Sequence, residues 1–349
     1  MNSRERVLRA LNFESPDRAP RFLSALPWVE LFAKDDWELL CRDYPGDFES
    51  PAGGLAPGER RRGTESRKGT YIDDWGVRWE VYEDGVVGEV KEPIIAKWSA
   101  LDGYKLPWEQ IKNADWDSIN RFQEENLAGE QKFMLAWPGV RLFERIQFLR
   151  GTENTFMDMA YGSSEFFRLR DMVHEFNVKV LEAATKTNID GLMFMDDWGS
   201  QTSLLISPAM WREYFKPCYK DYCDIIHSTG KKVFMHSDGE ISSIYEDLIE
   251  VGIDALNSQL FCMDIEGLAK NYKGRLTFWG EIDRQWILPF GTVADVRRAV
   301  ARVRRALDDG SGGVIAMCEW GPHNPPENIR AVYEAWMEPL RELISETDS

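Results

Sequence analysis

Lys232-Val233-Phe234-Met235-His236-Ser237-Asp238-Gly239 is an apolar run that gives way to imidazole, hydroxyl and carboxylate. Its apolar part does not alternate with polar residues, so a strand there is covered on both faces, the mark of a parallel sheet. The same design repeats on either side. Gly191-Leu192-Met193-Phe194-Met195 runs into Asp196-Asp197-Trp198-Gly199, and Asp254-Ala255-Leu256-Asn257 ends at Gln259. Leu276-Thr277-Phe278-Trp279 ends at Gly280-Glu281, and Val314-Ile315-Ala316-Met317 ends at Cys318.

Helices fill the intervals. Ser207 as N-cap and Pro208 at the first helical position open one that runs to about residue 228 and stops at Gly230. Thr292 caps another, with Val296, Val300, Val303 and Leu307 on one buried stripe. Pro325-Pro326 leads into a closing helix with Ile329, Val332, Trp336 and Leu340 on one face. With an earlier strand at Phe133-Met134-Leu135-Ala136-Trp137, this alternation predicts an α/β fold, a (β/α)8 TIM barrel. A doubly wound open sheet is the alternative, but no Gly-rich dinucleotide fingerprint follows any strand. Residues 1–349 read as a single barrel domain. Residues from about 43 to 110 read as an irregular and hairpin insertion near the barrel mouth. In it, 71–82 and 86–90 make the antiparallel hairpin, turning at Asp84-Gly85.

A formal net charge of −17 repels phosphate backbones, which argues against a nucleic-acid partner. No apolar run approaches the roughly 20 residues that span a bilayer. The polar start Met1-Asn2-Ser3-Arg4-Glu5-Arg6 does not read as a secretory signal, so a cytoplasmic location is expected. The 5 cysteines are irregularly spaced and imply no disulfide framework.

In a β/α barrel the C-terminal strand ends share one face, where active sites sit. Asp196, Asp197, His236, Asp238, Asn257, Gln259, Glu281 and Cys318 would converge there. Thiolate, imidazole and carboxylate together suit zinc, which needs three protein ligands and an open position for catalysis. His236, Asp238, Glu281 and Cys318 are therefore the candidate metal ligands. Plainer roles stay open: a carbonyl partner for His236, an N-cap at Asp238, an ion pair of Glu281 with Arg284, an inert thiol at Cys318. Asp196 and Asp197 are candidate catalytic residues, as a base or as binders of a polar substrate group; Asp197 could equally form a turn with Gly199. Trp198, Gln259 and Tyr161 are candidate substrate binders; Tyr161 and Arg141 could hold a substrate carboxylate or equally fill core or surface roles. Asp254 starts its strand and should point to the other end of the barrel.

The chain resembles the uroporphyrinogen decarboxylase superfamily. The resemblance lies in Asp196-Asp197-Trp198-Gly199-Ser200-Gln201, Leu205-Ile206-Ser207-Pro208 and the 232–239 strand. It continues in Gly252-Ile253-Asp254-Ala255-Leu256-Asn257, Gly280-Glu281-Ile282-Asp283 and Leu288-Pro289-Phe290-Gly291-Thr292. The family implies a distorted (β/α)8 barrel. Its true decarboxylases carry an N-terminal Arg-Gln-Ala-Gly-Arg segment; here the corresponding region reads Arg21-Phe22-Leu23-Ser24-Ala25-Leu26-Pro27-Trp28. The other branch, zinc methyltransferases that work with corrinoid proteins, often carries His-x-Cys plus a distant Cys. This chain has His236-x-Asp238 and Cys318, a harder donor set that suits polarisation of an oxygen rather than activation of a thiol. The resemblance thus implies a zinc-dependent, O-demethylase-like methyltransferase. It would move a methyl group from a methoxylated aromatic to the Co(I) corrinoid of a partner protein. Glu281 and Cys318 would serve with Asp238 or Asp254 as the second acid, and Trp198, Phe261 and Trp320 could stack on the substrate ring. The alternative is a metal-independent decarboxylase or lyase using Asp196 or Asp197. The identity of the methyl donor, the direction of transfer and the oligomeric state, with a homodimer one option, are open at this level.

Overall fold

The computed structural model describes residues 1–347. Seven parallel strands form one curled sheet, in the order Val314–Ile315, Thr277–Gly280, Ala255–Ser258, Lys232–Ser237, Gly191–Met195, Phe133–Ala136 and Phe48–Glu49. The order follows the chain, as βαβ connections between adjacent strands require. The sheet returns toward itself through residues 20–25. Asp47 N donates to Arg21 O (2.8 Å), Phe22 N to Ala316 O (2.9 Å) and Ala316 N to Pro20 O (2.8 Å). Ser24–Ala25 then pairs in parallel with Glu319–Trp320. The architecture is an α/β fold that fits a TIM-like barrel.

Aromatic rings fill the space the sheet encloses. Phe22 meets Trp279 at 4.7 Å, Trp279 meets Phe234 at 5.5 Å, Phe234 meets Phe133 at 5.6 Å and Phe133 meets Phe48 at 5.6 Å. Val7 and Leu11, from the first helix (Ser3–Leu11), pack into the same cluster. The barrel is therefore a packed core rather than a pore, and a ligand must bind at its rim.

The N-terminal strand ends are tied by one repeated device. Asp47, Asp190 and Asp254 each precede a strand, and each carboxylate accepts a backbone N–H of the neighbouring strand: Arg21 (2.7 Å), Met134 (2.9 Å) and Val233 (2.7 Å). Each also holds a basic side chain, Arg6 Nη1 at 2.6 Å, Arg4 Nε at 2.8 Å and His227 Nε2 at 2.8 Å respectively. Asp254 thus faces the end of the barrel opposite to the strand termini at His236 and Asn257.

Residues 69–92 form a three-stranded antiparallel sheet of Gly69–Ile72, Arg78–Val81 and Glu89–Glu92. The strand expected over 71–82 is broken at its centre. Asp73 Oδ1 accepts from Trp75 N (2.9 Å) and Val77 N (2.8 Å), and this side-chain turn folds the chain back where alternation alone predicts continuation. Asp73 Oδ2 also pairs with Arg145 Nη1 (2.9 Å), whose guanidinium lies 4.6 Å over the Trp75 ring and anchors this sheet to the helix Phe143–Arg150.

Candidate metal centre

His236 is the penultimate residue of the strand Lys232–Ser237, and the loops that follow this strand and its neighbour Gly191–Met195 run in backbone contact. Gly199 N donates to Asp238 O (3.0 Å), and Glu240 N to Ser200 O (2.8 Å). Only glycine permits this approach: a Cβ on Gly239 would lie 2.3 Å from the carbonyl carbon of Gly199, and one on Gly199 2.5 Å from Glu240 N. Gly239 also sits at φ +82°, where side chains are strained. The contact brings Asp197 beside Asp238, and Asp197 Oδ1 accepts Asp238 N at 3.0 Å.

One ligand atom each from Asp197, His236 and Asp238 lies within 4.8 Å of the other two. His236 Nε2 is 3.6 Å from Asp197 Oδ1 and 3.4 Å from Asp238 Oδ1. These separations are longer than a charged N–H···O bond of roughly 2.7–2.9 Å. They match the edge of a tetrahedron of ligands, about 3.3–3.6 Å for metal–ligand bonds of about 2.0–2.2 Å. The other ring nitrogen is committed, since Nδ1 lies 2.5 Å from Asn257 Oδ1.

Burial alone would discharge His236, but Asp238, Asp197 and Glu281 outweigh it and raise its pKa. Glu281 is buried, and burial pushes its carboxyl up to about 7 against the pull of Arg284 and His236. Among the described residues, neither Glu281 oxygen has a hydrogen-bond partner, and the buried Oδ1 of Asp238 has none either. Arg284 is engaged on all sides: Nη2 binds Asp238, Nη1 lies 2.7 Å from Glu319 Oε1, and Nε lies 3.5 Å from Glu281 Oε2.

Glu144 joins this region without any signal in the periodicity. It lies in the first turn of the helix Phe143–Arg150, whose N-terminus is held by Asp196. Asp196 Oδ2 accepts Leu142 N (2.9 Å), Phe143 N (3.0 Å) and Tyr219 Oη (2.5 Å), and Oδ1 accepts Glu144 N (2.8 Å). Burial pushes the Glu144 carboxyl up, opposed by Arg141, with Asp197 and Asp196 adding to the rise. Arg141 Nη1 lies 3.2 Å from Glu144 Oε1. A helix-capping aspartate next to a strand-end aspartate is the signal that could have led from Asp196 to Glu144.

The remaining candidates are placed as follows. Trp198 is fully buried, stacked on Phe143 at 4.1 Å with its indole N–H donating to Tyr219 Oη (3.0 Å). Trp320 is buried too, and Tyr161 is 76% exposed at the end of the helix Thr152–Tyr161. Gln259 Oε1 accepts Gly239 N at 2.9 Å. Cys318 is fully buried, and burial pushes its thiol up to about 12. Neither Glu281 nor Cys318 belongs to the close set formed by Asp197, His236 and Asp238. A cavity of about 230 Å³ opens beside Glu281 and Arg284, walled by Gln201, Gln259, Phe261, Gln285 and Trp286.

The donor set fits a divalent cation of the zinc type. One imidazole and two carboxylates give three ligands, and the orphaned oxygens of Asp238 and Glu281 are buried acceptors that a cation would satisfy. Fold and site together define a TIM-like barrel with an acid-and-histidine centre at the C-terminal strand ends. The uroporphyrinogen decarboxylase (URO-D) family model matches residues 147–338, more than half of the chain, and the chain belongs to that family.

No curated protein sequence matches this chain. Among solved structures, a methyltransferase from Methanosarcina mazei superposes with a TM-score of 0.70 at 16% identity, over 96% of this chain and 98% of its own. An endo-beta-1,4-xylanase from Gloeophyllum trabeum gives a TM-score of 0.46 at 10% identity, over 95% and 99%. A B12-independent methionine synthase from Shewanella sp. W3-18-1 gives 0.44 at 12% identity, over 90% and 87%. At 16% identity the first likeness concerns the fold.

Proposed function

We propose that this chain is a zinc-dependent methyltransferase that moves a methyl group from a methoxylated aromatic to the Co(I) corrinoid of a partner protein. The observation that carries the reading is the spacing of Asp197, His236 and Asp238, which suits a small cation better than direct hydrogen bonds. The fold likeness to a methyltransferase and this chain's membership of the URO-D family support it. Zinc bound by these three side chains would supply Lewis acidity at the ether oxygen, so that the phenolate leaves as a stabilised anion. Glu281 or Cys318 enters the proposal as a candidate further ligand, with a position left open for the substrate oxygen.

The protein's own residues set up this chemistry. Asn257 holds the His236 ring with Nε2 toward the two aspartates. Arg284 bridges Asp238, Glu281 and Glu319 and offsets part of their mutual repulsion. Glu144, pushed up by burial, holds a proton nearer neutral pH than an exposed carboxyl does, and can supply one to the departing phenolate. The cavity beside Glu281 gives an aromatic ring a place against Phe261 and Trp286.

The test is elemental analysis joined to an anaerobic assay with a Co(I) corrinoid and a panel of methoxyarenes, methylamines and thiols. Stoichiometric zinc, lost in the His236→Ala/Asp238→Asn double variant together with methyl transfer from methoxyarenes, is the expected result. Purified protein that takes up no zinc, or a double variant that retains it fully, would sink the reading. Cys318→Ala in the same assay decides thiolate ligation: reduced zinc supports it, unchanged zinc removes it.

A further inference from the structure

We infer that the cavity beside the proposed centre selects its aromatic by charge, taking an uncharged single-ring methyl ether and rejecting the carboxylated analogue. This rests on the functional reading above and adds the substrate class to it. Size comes first. A cavity of roughly 150 Å³ holds one benzene ring, and this one, at about 230 Å³, has room for one substituted ring. It falls below the roughly 300–1,000 Å³ typical of sites for larger ligands.

Charge decides the rest. Among the described residues, Arg284 is the one cationic side chain lining this cavity. Its guanidinium is already divided among Asp238, Glu281 and Glu319. Asp283 adds a carboxylate to the lining, and Asp197, Asp238, Glu281 and Glu319 stand around the centre, so a bound zinc and Arg284 together still leave the balance acidic. A carboxylated ligand would enter an acidic pocket, between the buried Glu281 and the exposed Gln285 and Trp286, without a free guanidinium to meet it, and like charges at such range repel. What the walls do offer is neutral: the amides of Gln201, Gln259 and Gln285 and the rings of Phe261 and Trp286. The Gln259 oxygen is occupied by Gly239 N, which leaves its amide N–H groups as donors. Amide donors and acceptors with ring faces match a phenolic methyl ether.

Calorimetric titration of the zinc-loaded protein with 2-methoxyphenol and with 4-hydroxy-3-methoxybenzoate tests this. The expected result is binding of the phenol at least about tenfold tighter than the benzoate. Gln285→Arg, which adds a cation to the same wall, should strengthen benzoate binding by about tenfold or more and leave the phenol little changed. Benzoate binding as tight as the phenol in the wild type, failure of both to bind, or no gain for the benzoate in Gln285→Arg would overturn the inference. Its failure is separable from that of the methyl-transfer reading. Tight benzoate binding with demethylation removes only the charge rule, whereas tight phenol binding with no methyl transfer to Co(I) corrinoid removes only the functional reading.

Discussion

Asn257 Oδ1 accepts a hydrogen bond from His236 Nδ1 at 2.5 Å, across two strands in which these residues are direct register partners. The amide cannot be turned around, because its Nδ2 donates to Trp279 O at 2.7 Å. An amide oxygen only accepts, so Nδ1 carries the proton and Nε2 is the atom presented to Asp197 and Asp238.

Replacing that partner should weaken metal binding without touching a ligand. Asn257→Leu is expected to lower zinc affinity by about 10–100-fold, the usual effect of losing a group that orients a ligand histidine. It should also destabilise the fold by about 1–3 kcal/mol, since Trp279 O loses its donor in a buried site. Competition titration with a chromophoric chelator and urea unfolding check the two parts, and unchanged zinc affinity would remove Asn257 from the orienting role.

Asp196 accepts three backbone N–H groups and the Tyr219 hydroxyl while fully buried. Asp196→Ala strands those donors at the start of the helix Phe143–Arg150. A loss of about 3 kcal/mol is expected, seen as a lower urea midpoint at an unchanged slope. A loss below about 0.5 kcal/mol, the range of an ordinary surface change, would contradict the capping role.

The metal-free protein should lose stability as pH rises through the neutral range. The Glu281 carboxyl moves from an ordinary 4.5 to about 7 in the folded state. Below the lower value it is protonated in both states and contributes nothing to the pH dependence. Between the two values the unfolded chain releases its proton and the folded chain keeps it, so stability falls, by about 3 kcal/mol in all. His236, whose pKa is raised, acts in the same direction above its unfolded value. Urea midpoints with EDTA at acid and alkaline pH should show this slope, and Glu281→Gln should flatten it. An identical slope in the variant would assign the effect to other groups.

Two glycines of positive φ separate strain from collision. Gly230 has open space around its missing Cβ, whereas at Gly239 the new atom would strike Gly199. Gly230→Ala should cost about 1 kcal/mol, the strain of that backbone region alone. Gly239→Ala should cost clearly more, by about 1–3 kcal/mol, and should also reduce zinc uptake by parting Asp197 from Asp238. Equal effects of the two substitutions in unfolding and zinc titration would show that the loop contact does not hold the site.

The sequence by itself determined the α/β class, the parallel strands from Phe133 onward and the strand termini that carry His236, Asp238, Asn257 and Glu281, whereas the strand Phe48–Glu49 fell inside the stretch read as an insertion. Apolar runs flanked by glycine and ended by polar residues report burial on both faces, and a parallel sheet necessarily collects its C-terminal ends on one side. Distance was not legible there. Only the tertiary structure decided that Asp197 completes the close set with His236 and Asp238, that Asp196 turns away to hold a helix, and that this helix carries Glu144 into the site. It also decided that Asp73 breaks the strand expected over 71–82, and that Trp198 lies sealed among aromatic rings. Periodicity assigns a residue to a face. Which side chain it meets across that face depends on register, on glycine contacts between loops and on how each helix packs, and these are properties of the assembled chain.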